Sequence, residues 1–145
     1  MKLYIAARFS AKGRLRVIAE RLRNLGHQVV SEWIWIDGED RELPLAAIRD
    51  YKNLHIAQCL LLDTTDPLDP DQSGGDREWE GGHATARNMT VILIGEKRHL
   101  FHHLIPIHFH TWDDLFNALE KGGGAFFWYL LNNLDTDDRT TRGKR

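Results

Sequence analysis

The sequence predicts a single-domain α/β fold with a doubly wound, five-stranded parallel sheet and helices on both faces. Short apolar runs alternate along the chain with amphipathic segments of helical period, which is typical of a parallel sheet covered by helices. The runs are apolar throughout, so both faces of the strands should be buried. The 145 residues fit one domain.

The first half of the chain supplies three predicted strands. The first is Leu3–Ala7, and a helix follows that ends at Gly26 and carries an apolar stripe of Leu15, Ile18, Ala19, Leu22 and Leu25. A second strand begins at Val29 and runs toward Ile36. After a polar loop at 37–42, a second helix leads to strand Cys59–Asp63. The buried stripe of that helix is predicted to be Leu45, Ile48, Tyr51 or the stem of Lys52, His55 and Ile56.

The second half begins with the loop Thr64–Gly75, which carries several aspartates and is too long for a simple connection, so it is expected to be either functional or mobile. The elements predicted after it are helix Arg77–Arg87, strand Thr90–Ile94, a short strand near Ile107 and Phe109, and helix Trp112–Lys121. The domain is therefore expected to span residues 1–121. After three glycines, the apolar segment Ala125–Leu134 needs cover and is expected at a homo-oligomer interface, and 135–145 is expected to be a disordered tail.

This element order indicates a flavodoxin-like or Rossmann-like arrangement, in which ligands sit at the carboxyl ends of the strands. This rule predicts that one crevice is bordered by loop Arg8–Gly13, loop Thr64–Gly75 and the helix bearing Glu80. We expect the active site there.

Composition excludes several classes of protein. The formal charge of −2 gives no basic field for nucleic acid. The single Cys59 excludes disulfide stapling and favours the cytoplasm. No apolar stretch approaches the roughly 20 residues that span a bilayer. We therefore expect a cytoplasmic protein that binds a small molecule rather than nucleic acid or membrane.

Two carboxylates are the candidate catalytic groups. Glu80 lies in a helix that follows a glycine-bearing loop, and its neighbours Gly81 and Gly82 would each cost roughly 1 kcal/mol relative to alanine, so they call for a reason such as close ligand approach. Asp50 lies in the preceding helix. The alternatives are that Glu80 complements the helix dipole and that Asp50 is a solvated surface residue. Glu78 is a third candidate but should point to another side of the helix.

The loop from Arg8 to Arg14 joins basic side chains to a helix amino terminus, where a phosphate would fit. It is neither a Walker A motif nor a dinucleotide fingerprint, and surface solvation is the alternative. Trp33 and Trp35 alternate along the predicted strand end and could stack a nucleobase, although we expect one of them in the core.

Five histidines between 99 and 110 suggest a metal cluster at first sight. Their spacing matches no standard zinc site, and no cysteine pair accompanies them. We expect packed or solvated histidines, with no metal and no cofactor.

Several segments, read in order, together resemble the nucleoside 2-deoxyribosyltransferase family, whose relatives include the deoxynucleoside 5′-monophosphate N-glycosidases. They cover most of residues 2–121 and are Leu3–Ala7, Leu25–Val30, Arg49-Asp50, Ala57–Asp63, Gly74-Gly75 and Glu80–Ala86. The resemblance implies that Glu80, followed by Gly82 and Ala84, attacks the anomeric carbon and that Asp50 assists the leaving base or orients the sugar. It also implies a homo-oligomer in which neighbouring subunits complete each other's pockets.

The chain departs from the family pattern at Ala7-Arg8, at Gln58 and in its long acidic loop. Arg8 favours a substrate that carries a phosphate, so we expect hydrolysis of a nucleoside 5′-monophosphate slightly ahead of base transfer on a nucleoside; a non-catalytic nucleotide sensor is the rival class. The residues expected to bind substrate are Arg8, Phe9, Ser10, Lys12, Trp33, Ser73, Gly74, Gly75 and Gly82.

Overall fold

A computed structural model describes residues 1–37, 43–67, 75–123 and 125–126. The strands are β1 (Lys2–Ala6), β2 (Gln28–Val29), β3 (Cys59–Thr64), β4 (Thr90–Gly95) and β5 (Ile107–Phe109). The α-helices are α1 (Lys12–Asn24), α2 (Leu43–Ile56), α3 (Gly75–Ala86) and α4 (Trp112–Gly122). Short 3₁₀ helices span Phe9–Ala11, Glu32–Trp35 and Leu100–Leu104.

The five strands form one parallel sheet in the order β2-β1-β3-β4-β5. The order reverses between β1 and β3, and such a switch point opens a crevice at the carboxyl ends of the two strands. The predicted doubly wound α/β fold is confirmed.

Helices α2 and α3 cover one face of the sheet. Tyr4 of β1 pairs with Leu60 of β3, and side chains two apart along a strand share a face, so Tyr4 lies on the same side as Leu62. Gly81 of α3 packs there, since a Cβ at that glycine would lie 3.4 Å from Leu62. A methyl group at position 81 would make ordinary van der Waals contact with Leu62, so the packing of α3 against β3 does not by itself require a glycine there.

Helices α1 and α4 lie together on the opposite face. Arg21 of α1 donates to Glu120 of α4 at 2.9 Å and stacks on the ring of Phe116 at 3.9 Å. The apolar stripe predicted for α1 is buried at Leu15, Ile18, Ala19 and Leu22, whereas Leu25 is exposed. The core is therefore a sheet between two helical layers.

The second strand is shorter than predicted. It ends at Val29, and residues Glu32–Trp35 form a 3₁₀ helix instead of a strand end. Ile34 N donates to Ser31 O at 3.3 Å, and the Trp33 indole donates to Ile5 O at 3.2 Å. These bonds turn the chain inward, so the prediction that Trp33 and Trp35 alternate along a strand is wrong; Trp33 is buried and Trp35 half-buried.

The stripe predicted to be buried on α2 is wrong as well. The helix buries Asn53 and Leu54, whereas its predicted stripe is exposed, including Leu45, Ile48, Tyr51, His55 and Ile56. The helical period was predicted correctly, but the side that faces the sheet was not.

The carboxyl-terminal segment is described only as far as Phe126, whose ring lies 6.3 Å from that of Phe109 on β5. Of the predicted apolar segment Ala125–Leu134, residues 127–134 lie outside the described residues, and so does the predicted tail 135–145. None of the described helices has the length and apolar character needed to cross a membrane.

Candidate functional site

A hydrogen bond between β1 and α3 forms the centre of the candidate site. The hydroxyl of Tyr4 donates to Oε1 of Glu80 at 2.5 Å. The contact forms because Tyr4 is on the face of the sheet that α3 covers, and because Glu80 lies in the second turn of that helix. A carboxylate is thereby held against the middle of the sheet.

The surroundings of Glu80 favour its protonated form. Burial raises its pKa to about 8, and the charges of Asp50 and Asp76 add to the rise, whereas the hydrogen bond from Tyr4 lowers it. Burial and the neighbouring Glu80 raise the pKa of Tyr4 far above its usual range. Tyr4 therefore keeps its proton and acts as a donor throughout the working pH range.

Asp50 belongs to the same electrostatic group. Its charge raises the pKa of both Glu80 and Tyr4, which shows that α2 brings it near the α3 carboxylate. Arg49 Nε donates to Asp50 Oδ1 at 2.9 Å, and both side chains are mostly buried, with exposed fractions of 21% and 27%. The predicted pair of carboxylates is thus brought together by α2 and α3.

Of this group, Asp50 and its partner Arg49 line a cleft of about 940 Å³, whereas Glu80 and Tyr4 lie behind its described lining. Its described lining includes the predicted site residues Phe9, Trp33 and Asp50. The rings of Phe9 and Trp33 are near-parallel, with centroids 6.3 Å apart and an angle of 22°. Tyr51 and Trp79 also line the cleft, and their ring centroids lie 6.5 Å apart. Flat apolar walls beside carboxylates suit a nucleobase attached to a sugar.

The predicted phosphate loop lies at the end of β1. Arg8 Nη1 donates to Pro67 O at 3.1 Å, so the loop after β1 is joined to the loop after β3. Lys12 begins α1, donates to Ile36 O at 2.8 Å and lies 3.4 Å above the ring of Phe9. Ser10 is exposed beside them. Arg8 and Lys12 are therefore already engaged by backbone carbonyl groups at this edge of the cleft.

The remaining predicted binding residues do not all converge. Gly75 begins α3, whereas Ser73 and Gly74 lie outside the described residues. Gly82 lines a groove on the other side of α3, and a Cβ added at this position would meet nothing within 4 Å. The same groove holds Glu78, which faces away from Glu80, as expected from their spacing.

Glu78 is the centre of a histidine cluster. The buried His102 lies 2.8 Å from Glu78 Oε2, His99 lies 3.4 Å from Oε1, and Arg77 donates to Oε1 at 3.2 Å. The Arg98 backbone N–H donates to His102 Nδ1 at 3.2 Å, so His102 carries its proton on Nε2 and donates to Glu78. Across the described ranges, no group of three or more potential ligands could hold a metal ion.

Sequence reasoning missed Tyr4, Arg49 and Trp79 as members of the site. Tyr4 could have been found from the sequence, because it is the one hydroxyl-bearing residue within the apolar run of β1, and a buried hydroxyl needs a hydrogen-bond partner. Nothing local to Trp79 distinguished it from a surface aromatic residue.

Similar proteins were found by structure alone. No protein-family model matches the sequence, and no curated protein matches it significantly. The fold is similar to that of the 2-deoxyribosyltransferase of Bacillus psychrosaccharolyticus, with a TM-score of 0.62 and 22% identity over 81% of this chain and 91% of that chain. It is also similar to the CMP N-glycosidase of Clostridium botulinum, with a TM-score of 0.53 and 18% identity over 83% of this chain and 98% of that one. At the level of fold, the chain is built like a nucleoside 2-deoxyribosyltransferase and a nucleotide N-glycosidase, as its sequence resemblance predicted.

Proposed function

We propose that this protein cleaves the N-glycosidic bond of a nucleoside 5′-monophosphate or nucleoside, with Glu80 as the nucleophile. The observation that carries the proposal is the pairing of Glu80 with Tyr4 near Asp50, and Asp50 lines a cleft with aromatic walls. The similar folds of a deoxyribosyltransferase and a CMP N-glycosidase support the same chemistry.

Glu80 attacks in its ionised form. Its carboxylate forms a bond to the anomeric carbon while the bond from that carbon to the base nitrogen breaks, and the base leaves with the electron pair. Within the described residues Tyr4 engages Oε1, so Oε2 is the attacking atom. Tyr4 remains a neutral donor and stabilises the charge of Glu80 before the attack.

Asp50 serves the leaving base or the sugar. A carboxyl group in its protonated form can give its proton to the departing base, and an ionised one can hold a sugar hydroxyl. Arg49, which donates to Asp50 Oδ1, fixes the orientation of the group in either role. Asp50 is therefore the second catalytic residue of the proposal.

Water or a second base completes the reaction. Water at the anomeric carbon releases the sugar and restores the Glu80 carboxylate, whereas a second base gives a new nucleoside. We place hydrolysis of a 5′-monophosphate first, because Arg8, Ser10 and Lys12 combine positive charge with the start of α1 at the edge of the cleft.

The alternative is base transfer on a nucleoside that carries no phosphate. The observation that favours it is the engagement of Arg8 by Pro67 O and of Lys12 by Ile36 O, which reduces what either side chain can offer to a phosphate.

One assay tests the proposal. Matched nucleosides and nucleoside 5′-monophosphates, ribo and deoxy, are incubated with the protein with and without a second free base, and products are separated by chromatography. Free base from monophosphates alone is the expected result, and exchange of bases on nucleosides indicates the transferase. Binding of a nucleotide with neither product would leave a sensor and overturn the proposal.

A further inference from the structure

A second cavity, of about 630 Å³, lies where β3, β4 and β5 end and α4 begins. Its lining includes Thr64 and Gly95, the last residues of β3 and β4, and also Thr111 and Trp112 at the start of α4. None of its lining residues also lines the catalytic cleft, as far as the described chain goes. The carboxyl ends of strands are the part of such a sheet where ligands bind.

Four buried polar atoms in the wall of this cavity have no hydrogen-bond partner. They are Nε and Nη1 of Arg98, Nε1 of Trp112 and Oδ2 of Asp66. Trp112 is only 8% exposed, so its indole N–H is shielded from bulk solvent by the fold. Arg98 is held in place by a bond from its Nη2 to the backbone oxygen of Asp66.

Their clustering requires an explanation. A buried donor or acceptor that lacks a partner costs about 1 to 3 kcal/mol, and the large majority of buried polar groups in proteins are satisfied. Four such atoms from three separate segments of the chain, in the wall of one cavity, are accounted for if a polar guest satisfies them together.

The chemistry of the guest follows from the four atoms. Three N–H groups, two of them on a guanidinium, require hydrogen-bond acceptors and favour an anion, and the start of α4 adds a positive dipole end. The carboxylate oxygen of Asp66 requires a donor and repels an anion that has none. Arg14 is already paired with Asp63 at 2.9 Å and with Asp66 Oδ1 at 3.0 Å, so Arg98 supplies the charge for the guest.

We propose that this cavity is a binding site for a small oxyanion that also carries a hydroxyl donor, separate from the catalytic cleft. Hydrogen phosphate has this chemistry, with acceptor oxygens for Arg98 and Trp112 and one P–OH for Asp66. A sugar phosphate has it too, with acceptors on the phosphate and donors on the sugar.

Sulfate provides the decisive control, because it matches phosphate in size and charge but carries no proton at neutral pH. The chain has five tryptophans, and the indole N–H signal of Trp112 is identified in a ¹H–¹⁵N spectrum by its loss in Trp112→Phe. Inorganic phosphate at millimolar concentration should shift that signal saturably, and sulfate should bind about tenfold more weakly or worse, the value of one hydrogen bond to a charged group.

Variants of the two charged residues complete the test. Arg98→Gln should weaken phosphate binding by about tenfold or more, and Asp66→Asn should remove the preference for phosphate over sulfate; well-dispersed spectra would show that both variants fold. A titration with ribose 5-phosphate separates free phosphate from a sugar phosphate as the guest. Absence of a saturable Trp112 shift with either compound, or equal binding of phosphate and sulfate by the unmodified protein, would overturn the proposal.

Discussion

The hydroxyl of Tyr4 and the carboxylate of Glu80 meet at 2.5 Å although 76 positions separate them in the sequence. One lies in the first strand and the other in the third helix, so the contact exists only once β1 and β3 are paired and α3 is packed on them. Burial raises the pKa of Glu80 to about 8 while the bond from Tyr4 opposes that rise. The ionisation of this carboxylate is thus adjusted by its burial and by its neighbours, a property expected at functional sites.

Replacement of Glu80 by glutamine should abolish base release and leave substrate binding largely intact. The amide keeps the shape of the side chain and can bond to Tyr4, but it cannot attack carbon. We expect a loss of roughly 10³-fold or more in kcat, measured by chromatography of free base, with binding followed by calorimetry. Glu78→Gln on the same helix is the matched control and should retain activity. Near-normal base release by Glu80→Gln would transfer the role to another group or to a sensor function.

The pH dependence of kcat/KM should report the ionisation of Glu80. Under the proposed mechanism Glu80 must be ionised to attack, and its pKa is about 8, so kcat/KM should rise as pH increases through about 8. Tyr4→Phe removes the hydrogen bond that lowers this pKa, so the rise should move to higher pH and the rate at pH 7 should fall. A pH profile of Tyr4→Phe that matches the unmodified protein would show that the hydroxyl does not influence the nucleophile.

Protein stability should depend on pH through the same group. The pKa of Glu80 is raised by folding from an ordinary 4.5 to about 8, so the folded protein favours the protonated carboxyl. Its contribution to stability is fully present below about 4.5 and is lost as pH rises through about 8. Glu80→Gln carries no ionisable group at this position. The melting temperature of the variant, relative to that of the unmodified protein, should therefore increase from pH 5 to pH 9. A constant difference in melting temperature across that range contradicts the raised pKa.

The strands of the sheet were predicted well because a buried parallel strand is recognisable in the sequence as a short run of consecutive apolar residues. The predicted strands Cys59–Asp63 and Thr90–Ile94 each contain four consecutive apolar residues, and the structure has strands at Cys59–Thr64 and Thr90–Gly95. The alternating tryptophans Trp33 and Trp35 also suggested a strand. The bond from the Trp33 indole to Ile5 O is a tertiary contact, however, and the local sequence does not reveal it. The strand predicted there was therefore wrong.

The candidate site was predictable only in part. A carboxylate beside helix glycines marked Glu80, but a sequence without contacts cannot say that Tyr4 is its partner or that Gly82 faces the other side of α3. Gln58, where the chain departs from the family pattern, accepts a bond from the backbone of Lys2 at 2.8 Å and so has a structural role. Periodicity located α2 but did not tell which of its sides packs on the sheet.

Arg8→Ala should reduce the preference for monophosphates over nucleosides. If Arg8 holds a 5′-phosphate, its loss should lower kcat/KM for the monophosphate by about tenfold or more and leave that for the nucleoside nearly unchanged. Arg23→Ala, a surface change on the same face as Glu20, is the control. If steady-state kinetics of Arg8→Ala show the original preference, the phosphate must bind elsewhere, and Ser73 is the next residue to test.

Removal of residues 127–145 should reduce the oligomeric mass and weaken catalysis, because we expect the apolar segment that continues from Phe126 to pack on a neighbouring subunit. The truncation keeps Phe126, whose ring lies near Phe109 of β5, so the domain itself should stay folded. Light scattering gives the mass, and the base-release assay gives the activity. Ile48→Glu on the exposed side of α2 serves as a parallel variant, since it alters a different apolar surface. Unchanged mass and activity after truncation would contradict the prediction and leave the segment as cover for its own domain; loss of the oligomer in Ile48→Glu alone would place the interface on α2.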